Sequence, residues 1–355
     1  MEANCPNMKT ISISPLESIR EAMSTLDKTA EKCLLVTDET CRFLGTLTDG
    51  DIRRAILSGM GVSEAISSIY CKEPTVLTQG SFTPETAKEI LREKKLALLP
   101  VLDDQGCVAD FVTWQRLGLS QTNKESLSHM PVVIMAGGKG SRLKPLTNFL
   151  PKPLVPIGHE TTLIERIIKQ FTDFGCRDFL ISVNYKAKLI KAYFDELNPT
   201  YNVGFLEEEK PLGTIGSIAL AKDQIKGSFF VTNCDILVSA NLHDLEQHHL
   251  KGQHAATITA SAKNHVIPYG TCELAEDGSL AKITEKPSQE ILINSGLYIF
   301  EPTVFDIIPS DSEFHATELI EGLIKDSQKV GVFPINFDSW QDVGQMSLYN
   351  DFLQS

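Results

Sequence analysis

The apolar positions fall into two kinds of run. Pro15 to Leu26 and Pro84 to Arg92 space them three and four apart, which predicts amphipathic helices. The stretches CLLVTDETCRFLGTLTDGDIRRAIL (33–57) and LALLPVLDDQGCVADFVTWQRLGL (96–119) each read as an apolar strand, an acidic turn, a second strand and a helix. Their acidic turns are Asp38-Glu39 and Asp103-Asp104 with Gly106, and Thr48 and Thr113 take equivalent places, so the first half holds a weak internal duplication. The polar segment Ser120 to His129 then reads as a linker, dividing the chain into 1–125 and 130–355. Beyond it, Pro131 to Ala136 and Ser228 to Thr232 have the continuous apolar pattern of buried strands, and a hairpin is predicted from Pro268 to Pro287, turning at Glu276-Asp277-Gly278.

Composition supports this division. A length of 355 residues suggests two domains at about 150 residues each, and 42% hydrophobic with 22% charged residues is an ordinary globular balance. The 33 Lys and Arg against 46 Asp and Glu give −13, and neither half is basic, which disfavours a nucleic-acid partner. Met1 to Thr10 is polar and no run reaches the ~20 apolar residues of a membrane span, so a soluble, cytoplasmic protein without a membrane partner is expected. The eight cysteines show no CxxC pattern, which predicts free thiols rather than a zinc site or a disulfide framework.

The chemistry concentrates after the linker. The strand at 131–136 runs directly into Gly137-Gly138-Lys139-Gly140-Ser141-Arg142, and glycines at a strand end free backbone N–H groups to approach an anion. Lys139 is followed by glycine rather than Ser or Thr, so this is not a Walker loop, and it does not fit GxGxxG. From Lys144 to Gly158 four prolines rule out a continuing helix and predict an extended rim carrying lysines. Asp235 ends the strand at 228–232, where open α/β sheets gather ligands, and is a metal candidate. Asp342 is a second acid, beside Trp340 and Gly344.

Two resemblances follow from these motifs. Residues 9–119 resemble a tandem pair of CBS modules, β-α-β-β-α units that form a cleft for adenosine nucleotides. The ligand motif GxxTxxD occurs once, from Gly45 through Thr48 to Asp51; in the second copy Thr113 persists, while Asp110 replaces the glycine and Arg116 the ribose-binding aspartate. The resemblance implies a CBS ligand contacted by Thr48, Asp51 and Thr113, although Thr48 and Asp51 equally suit helix capping, and Arg116 suits a phosphate better than a ribose. It also implies association into a homo-oligomer.

GGKGSRLKPLT followed by PKPLVPI resembles the signature of the sugar-1-phosphate nucleotidyltransferases, over residues 131–352. The fold implied is α/β: a Rossmann-like mixed-sheet nucleotidyltransferase domain preceded by the tandem CBS pair. The resemblance places the nucleotide against Ala136, Gly137, Gly138, Gly140, Ser141, Arg142, Glu208, Gly213, Thr214 and Asp235. Arg142 would stabilise the leaving pyrophosphate, and Lys152 would hold the sugar phosphate. Gly270, Glu285, Lys286, Asn294 and Thr317 would line the sugar pocket, while Asp235 and Asp342 would bind Mg²⁺. Lys139 and Lys144 taken alone read equally well as solvated surface lysines. Cys234 stands where the family usually has glycine, adding bulk where the backbone would approach the nucleotide.

A carboxylate at Glu208 could accept from both N1–H and the exocyclic amine of guanine, whereas uracil and thymine offer one N–H; this favours GTP, the alternative being a solvated acidic strand end at Glu207 to Glu209. The combination of CBS pair and transferase most resembles the glucosamine-1-phosphate guanylyltransferases of bacterial legionaminic-acid synthesis. Mannose-1-phosphate with GTP, or a transferase using UTP, dTTP or CTP, are the competing enzyme readings. A nucleotide-sensing regulatory protein is the alternative outside enzymes, and the intact Arg142, Lys152, Asp235, Glu285, Lys286 and Asp342 argue against it.

Overall fold

The structure is a computed structural model, and it describes residues 11–29, 32–94, 96–114, 116–117, 126–157, 161–336, 339–344, 346 and 349. The chain divides into two compact units, one comprising 1–123 with 262–291 and the other 124–261 with 292–355.

The first unit contains the duplication. β1 (Ser12–Ile13), α1 (Ile19–Thr29), β2 (Cys33–Thr37), β3 (Phe43–Thr48) and α2 (Asp49–Leu57) form the first copy. The second consists of β4 (Leu77–Thr78), α3 (Pro84–Glu93), β5 (Leu98–Leu102) and β6 (Val108–Thr113). In both, the short strand pairs parallel with the next and the third returns antiparallel, and the irregularity before the turn falls at equivalent places, Val36/Thr37 and Val101/Leu102. The helix expected to close the second copy lies largely outside the described residues. Strand alternation divides β2 between two cores: Leu34 and Val36 face α1 and α2, while Cys33 and Leu35 meet Leu98 and Phe111 of the other copy.

Helix α1 starts later than Pro15, because Ser18 provides its cap: the Ser18 hydroxyl accepts from Glu21 N at 3.2 Å and the Glu21 carboxylate accepts from Ser18 N. The same unit takes in the predicted hairpin, β15 (Thr271–Leu274) with β16 (Leu280–Thr284), from far along the chain. The linker's end belongs to the second unit. Leu127 is fully buried there and its N–H donates to Phe174 O at 3.0 Å.

The second unit is built on a seven-stranded mixed sheet. Apart from the small ribbon of β8 (Pro156–Ile157) and β9 (Thr161–Thr162), its strands in chain order are β7 (Val132–Met135), β10 (Asp178–Val183), β11 (Asn202–Glu207), β12 (Phe229–Asn233), β14 (Ala256–Val266), β17 (Ser288–Phe300) and β18 (Val330–Asn336). In space they run β11-β10-β7-β12-β17-β14-β18, with the first four parallel and β12–β17 antiparallel. Both faces are covered, which explains the continuous apolar runs. Val132, Ile134 and Phe230 pack with α4 (Leu163–Thr172), α5 (Ala187–Leu197) and α6 (Leu242–Gly252). Val133, Phe229 and Val231 pack on the other side with α7 (Ala316–Lys325).

The order reverses between β7 and β12, because the chain moves outward through β10 and β11 and then crosses back over β7. In open α/β sheets such a switch point leaves a crevice at the strands' carboxyl ends. Met135 and Asn233 are paired there, so the glycine loop and Asp235 leave the sheet side by side.

Candidate active site

The loop after β7 differs from the extended rim expected of its prolines. It winds through three short 3-10 turns, Ser141–Leu143, Leu146–Asn148 and Lys152–Leu154, with Pro145 and Pro151 at the entries of the second and third. Gly140 has φ +63°, and a Cβ there would stand 2.9 Å from both Lys152 Cβ and Thr147 Cγ2. Only glycine fits that conformation and that gap, and the Thr147 hydroxyl holds the fold by donating to Gly140 O at 2.8 Å. Gly138 faces open space; Lys139, Ser141, Arg142 and Lys144 are exposed, and Ala136 is buried beneath them.

Asp235 follows β12 and is 6% exposed. Its Oδ2 accepts a short hydrogen bond from Lys152 Nζ, and Arg142 Nη2 lies 3.7 Å from the same oxygen. The second acid arrives from more than a hundred residues away. β13 (Ile236–Val238) pairs antiparallel with β19 (Trp340–Asp342) in the register Ile236 to Asp342, and Val343 N donates to Asp235 O at 2.9 Å. Trp340 Nε1 donates to Ser295 O at 3.0 Å, anchoring β19. The two carboxylates converge on Gly344: a Cβ there would lie 2.2 Å from Asp235 Oδ2 and 2.9 Å from Asp342 Oδ1.

Two carboxylates aimed at one point suit a magnesium ion, which takes one or two carboxylates and completes its octahedron with water and phosphate oxygens. A denser set of ligands is absent among the described residues, where no group of three or more His, Cys, Asp or Glu is placed to hold a metal. Cys234 does not crowd the crevice. Its side chain is 4% exposed and belongs to the core under the sheet, where burial pushes the thiol up to about 11.

Glu208 lies just past β11, beside the glycine loop. Its Oε1 comes within 2.6 Å of where a Gly137 Cβ would be, so the absent side chain of Gly137 makes room for it. The Ser182 hydroxyl donates to Oε1, Leu212 N donates to Oε2 at 3.2 Å, and Asn184 Nδ2 donates to the Glu208 carbonyl at 2.7 Å. Gly213, at φ +81°, turns against Phe314, whose carbonyl oxygen would be 2.5 Å from a Cβ. The Thr214 hydroxyl accepts from Ala316 N at 3.0 Å, tying this loop to the start of α7, where Thr317 is exposed. Asn294 is exposed on β17, its Nδ2 donating to the Tyr298 hydroxyl at 2.8 Å.

In the first unit, Gly270, Glu285 and Lys286 gather at the base of the hairpin. A Gly270 Cβ would be 3.1 Å from Glu285 Oε2, Ile267 N donates to Pro287 O at 3.0 Å, and Lys286 holds a left-handed φ of +43°. Thr48 and Asp51 form a capping box on α2: the Thr48 hydroxyl accepts from Asp51 N at 3.2 Å, and Asp51 Oδ2 accepts from Thr48 N at 2.8 Å. Arg116, suited by its chemistry to a phosphate, is already engaged. It pairs with Asp110 at 2.6 Å and lies over the Phe111 ring at 3.6 Å. The two residues that depart from GxxTxxD in the second copy thus satisfy one another. Thr113 is buried beside them, and its hydroxyl accepts from Arg116 N at 3.4 Å.

Ser182 gave no signal in the sequence beyond being a lone polar residue inside the apolar run FLISV. His249, assigned no chemistry, is buried between the Thr257 hydroxyl at 2.8 Å and Glu301 Oε1 at 2.9 Å, away from the loops described above. None of the described helices is long and apolar enough to cross a membrane.

Comparison with known proteins agrees with this arrangement. The mannose-1-phosphate guanylyltransferase catalytic subunit beta of Drosophila pseudoobscura pseudoobscura is 32% identical over 222 residues, covering 60% of this chain and 58% of that protein. The chain therefore spans less than two thirds of the length of such relatives. A probable glucose-1-phosphate cytidylyltransferase of Bacillus subtilis is 32% identical over 222 residues, with 56% of this chain and 86% of that protein covered. Among solved structures, HddC from Yersinia pseudotuberculosis superposes with a TM-score of 0.51 at 27% identity, over 63% of this chain and 98% of that one. The same protein complexed with GMP-PN gives 0.50 at 28% identity, over the same shares of the two chains. Residues 6–58 match the CBS domain, and residues 131–354 match the nucleotidyl transferase family. With the glycine loop and the paired aspartates meeting at the switch point of a mixed sheet, the chain belongs to the nucleotidyl transferase family and carries a CBS domain at its amino-terminal end.

Proposed function

We propose that the protein is a magnesium-dependent sugar-1-phosphate guanylyltransferase. The observation that carries this reading is the convergence of Asp235 and Asp342 on Gly344, with Lys152 and Arg142 drawn to the same carboxylate from the glycine-loop segment. An oxygen of the sugar phosphate attacks the α-phosphorus of GTP, the bond from that phosphorus to the bridging oxygen of the β-phosphate breaks, and pyrophosphate leaves. The attacking phosphate is already ionised near neutral pH, so no protein nucleophile or general base is needed. Bound at Asp235 and Asp342, the metal would neutralise charge on the phosphate oxygens.

The chain's own residues do the positioning. Main-chain amides of Gly137, Gly138, Gly140 and Ser141 receive the nucleotide phosphates, and Arg142 meets charge developing on the pyrophosphate with a permanently charged fork of donors. Lys152 holds the sugar phosphate, with Asn294 and Thr317 toward the sugar, and the resemblance assigns sugar-phosphate chemistry to Gly270, Glu285 and Lys286 as well. Glu208 reads the guanine edge while Gly213 and Thr214 shape the loop beside it. Glucosamine-1-phosphate is the acceptor suggested by the domain combination. Mannose-1-phosphate is the second reading, supported by the mannose-1-phosphate guanylyltransferases among similar proteins.

The CBS pair is read as a binding site for an adenine nucleotide through Thr48, Asp51 and Thr113, in a homo-oligomer in the cytoplasm. The test is pyrophosphate release with Mg²⁺, crossing GTP, dTTP, UTP, CTP and ATP as donor with glucosamine-, mannose-, glucose- and N-acetylglucosamine-1-phosphate, with and without AMP. Turnover confined to GTP with one sugar phosphate fixes the substrates. Silence from folded protein that still binds nucleotide would replace the enzyme by a nucleotide sensor.

A further inference from the structure

We propose that Ser182 is a positioning residue that sets the base preference of this site, by fixing the Glu208 carboxylate so that one acceptor position on each oxygen points outward. The inference rests on the reading that Glu208 recognises guanine. Ser182 lies on β10, one strand away from the glycine loop's own strand, and is fully buried. Its hydroxyl has one proton. A carboxylate offers only acceptors, so that proton must go to Glu208, and Ser182 must in turn accept from Ser217, whose equally buried hydroxyl lies 3.0 Å away. The direction of this relay is therefore fixed from the Glu208 end.

The consequence is a count of acceptor positions. A carboxylate has about four, two on each oxygen. Ser182 takes one on Oε1 and the Leu212 amide takes one on Oε2, which leaves one on each. The main chain of Glu208 is held as well, its N–H donating to Val183 O at 3.0 Å and its carbonyl accepting from Asn184. Two outward acceptors on one rigid plane match the two adjacent donors of guanine, N1–H and the 2-amino group, as a bidentate pair. Without the Ser182 hydroxyl the carboxylate can rotate about its terminal torsion, which is broad and poorly defined on its own. The loss then falls on the second of the two bonds, since a single N–H is easily followed by a turning carboxylate.

Inosine triphosphate keeps N1–H and lacks the 2-amino group, so the ratio of ITP to GTP dissociation constants reads the two-bond geometry directly. It is measured by calorimetry on the full chain with Mg²⁺ and no sugar phosphate, so that no turnover occurs. The wild type is expected to bind GTP about tenfold or more tighter than ITP, and Ser182→Ala to bring the two within about twofold. Ser217→Ala, which removes only the far end of the relay, is expected to give an intermediate ratio, and it carries the test if Ser182→Ala fails to fold. A merely structural role for Ser182 would weaken GTP and ITP together and leave the ratio unchanged; that result in folded Ser182→Ala, or in Ser217→Ala where Ser182→Ala does not fold, overturns the proposal. Glu208→Gln separates the premise from the inference. If it keeps the wild-type ratio, or if the wild type shows no preference, the guanine reading falls and the proposal with it. If it abolishes the ratio while Ser182→Ala preserves it, the role of Ser182 alone is wrong.

Discussion

Adding one methyl group at Gly344 tests the reading of the paired aspartates without touching either acid. Gly344 does not have a positive φ, so alanine is allowed by its backbone and the whole effect comes from the collision. An alanine Cβ would stand 2.2 Å from Asp235 Oδ2 and 2.9 Å from Asp342 Oδ1, where ordinary contact begins at 3.4 Å. Asp235 must therefore retreat by about 1 Å, and a displacement of that size at a reacting centre is enough to lower turnover about a hundredfold. The cost to the fold is much smaller. A carboxylate driven about 30° off its rotamer loses roughly 0.5–1.5 kcal/mol, which in a unit of this size lowers the melting temperature by about 1–6 °C. Pyrophosphate release and a thermal melt on the same preparation separate the two effects, and Mn²⁺ titration followed by electron paramagnetic resonance reports the metal site directly. Gly344→Ala with turnover within about threefold of wild type and unchanged Mn²⁺ affinity would refute the assignment of Asp235 and Asp342 as a joint metal site.

Three further outcomes follow from the same geometry. Asp235→Asn should fold and lose Mg²⁺-dependent turnover by about a thousandfold, whereas Asp235→Ala should also lose about 3 kcal/mol in denaturant melts, because it leaves the ammonium of Lys152 buried without its partner; activity retained in either variant removes Asp235 from the site. Thr48→Ala should cost α2 about 1 kcal/mol through loss of its cap, seen as an earlier melt, with pyrophosphate release unchanged in the absence of adenine nucleotide. At pH 8 a disulfide reagent should modify the exposed Cys41, Cys71 and Cys272 in the native protein. It should spare Cys176 and Cys234, whose thiols burial pushes up to about 12 and about 11, so that the thiolate forms only far above neutral pH; fast native reaction at Cys234 would contradict its place in the core.

Part of the candidate site's framework was legible because its signals are local. A buried strand running into glycines, and a strand ending in an acid, are patterns of neighbouring residues, and the structure puts both at the switch point. What the local patterns left to the resemblance was long-range pairing. That Asp342 meets Asp235 depends on two three-residue strands finding each other, and neither strand has a pattern of its own strong enough to show it. The prolines of the rim favour an extended chain, but proline also suits the entry of a 3-10 turn, and that use prevails at Pro145 and Pro151. The hairpin's place in the first unit and the mutual pairing of Asp110 with Arg116 are likewise contacts made across sequence distance, where periodicity is silent.

If Asp235 and Asp342 hold a metal as proposed, the ion pair between Lys152 and Asp235 decides what kind of site they would make. A bare pair of partly buried carboxylates would repel itself, and the folded chain would lean on a divalent cation as zinc fingers lean on zinc. Here an ammonium from the protein itself neutralises the more buried acid, with a guanidinium close by. A metal bound there would therefore be a visitor that arrives with substrate rather than a structural staple. A chelator should silence such a protein and leave it folded, ready to be restored by adding the cation back.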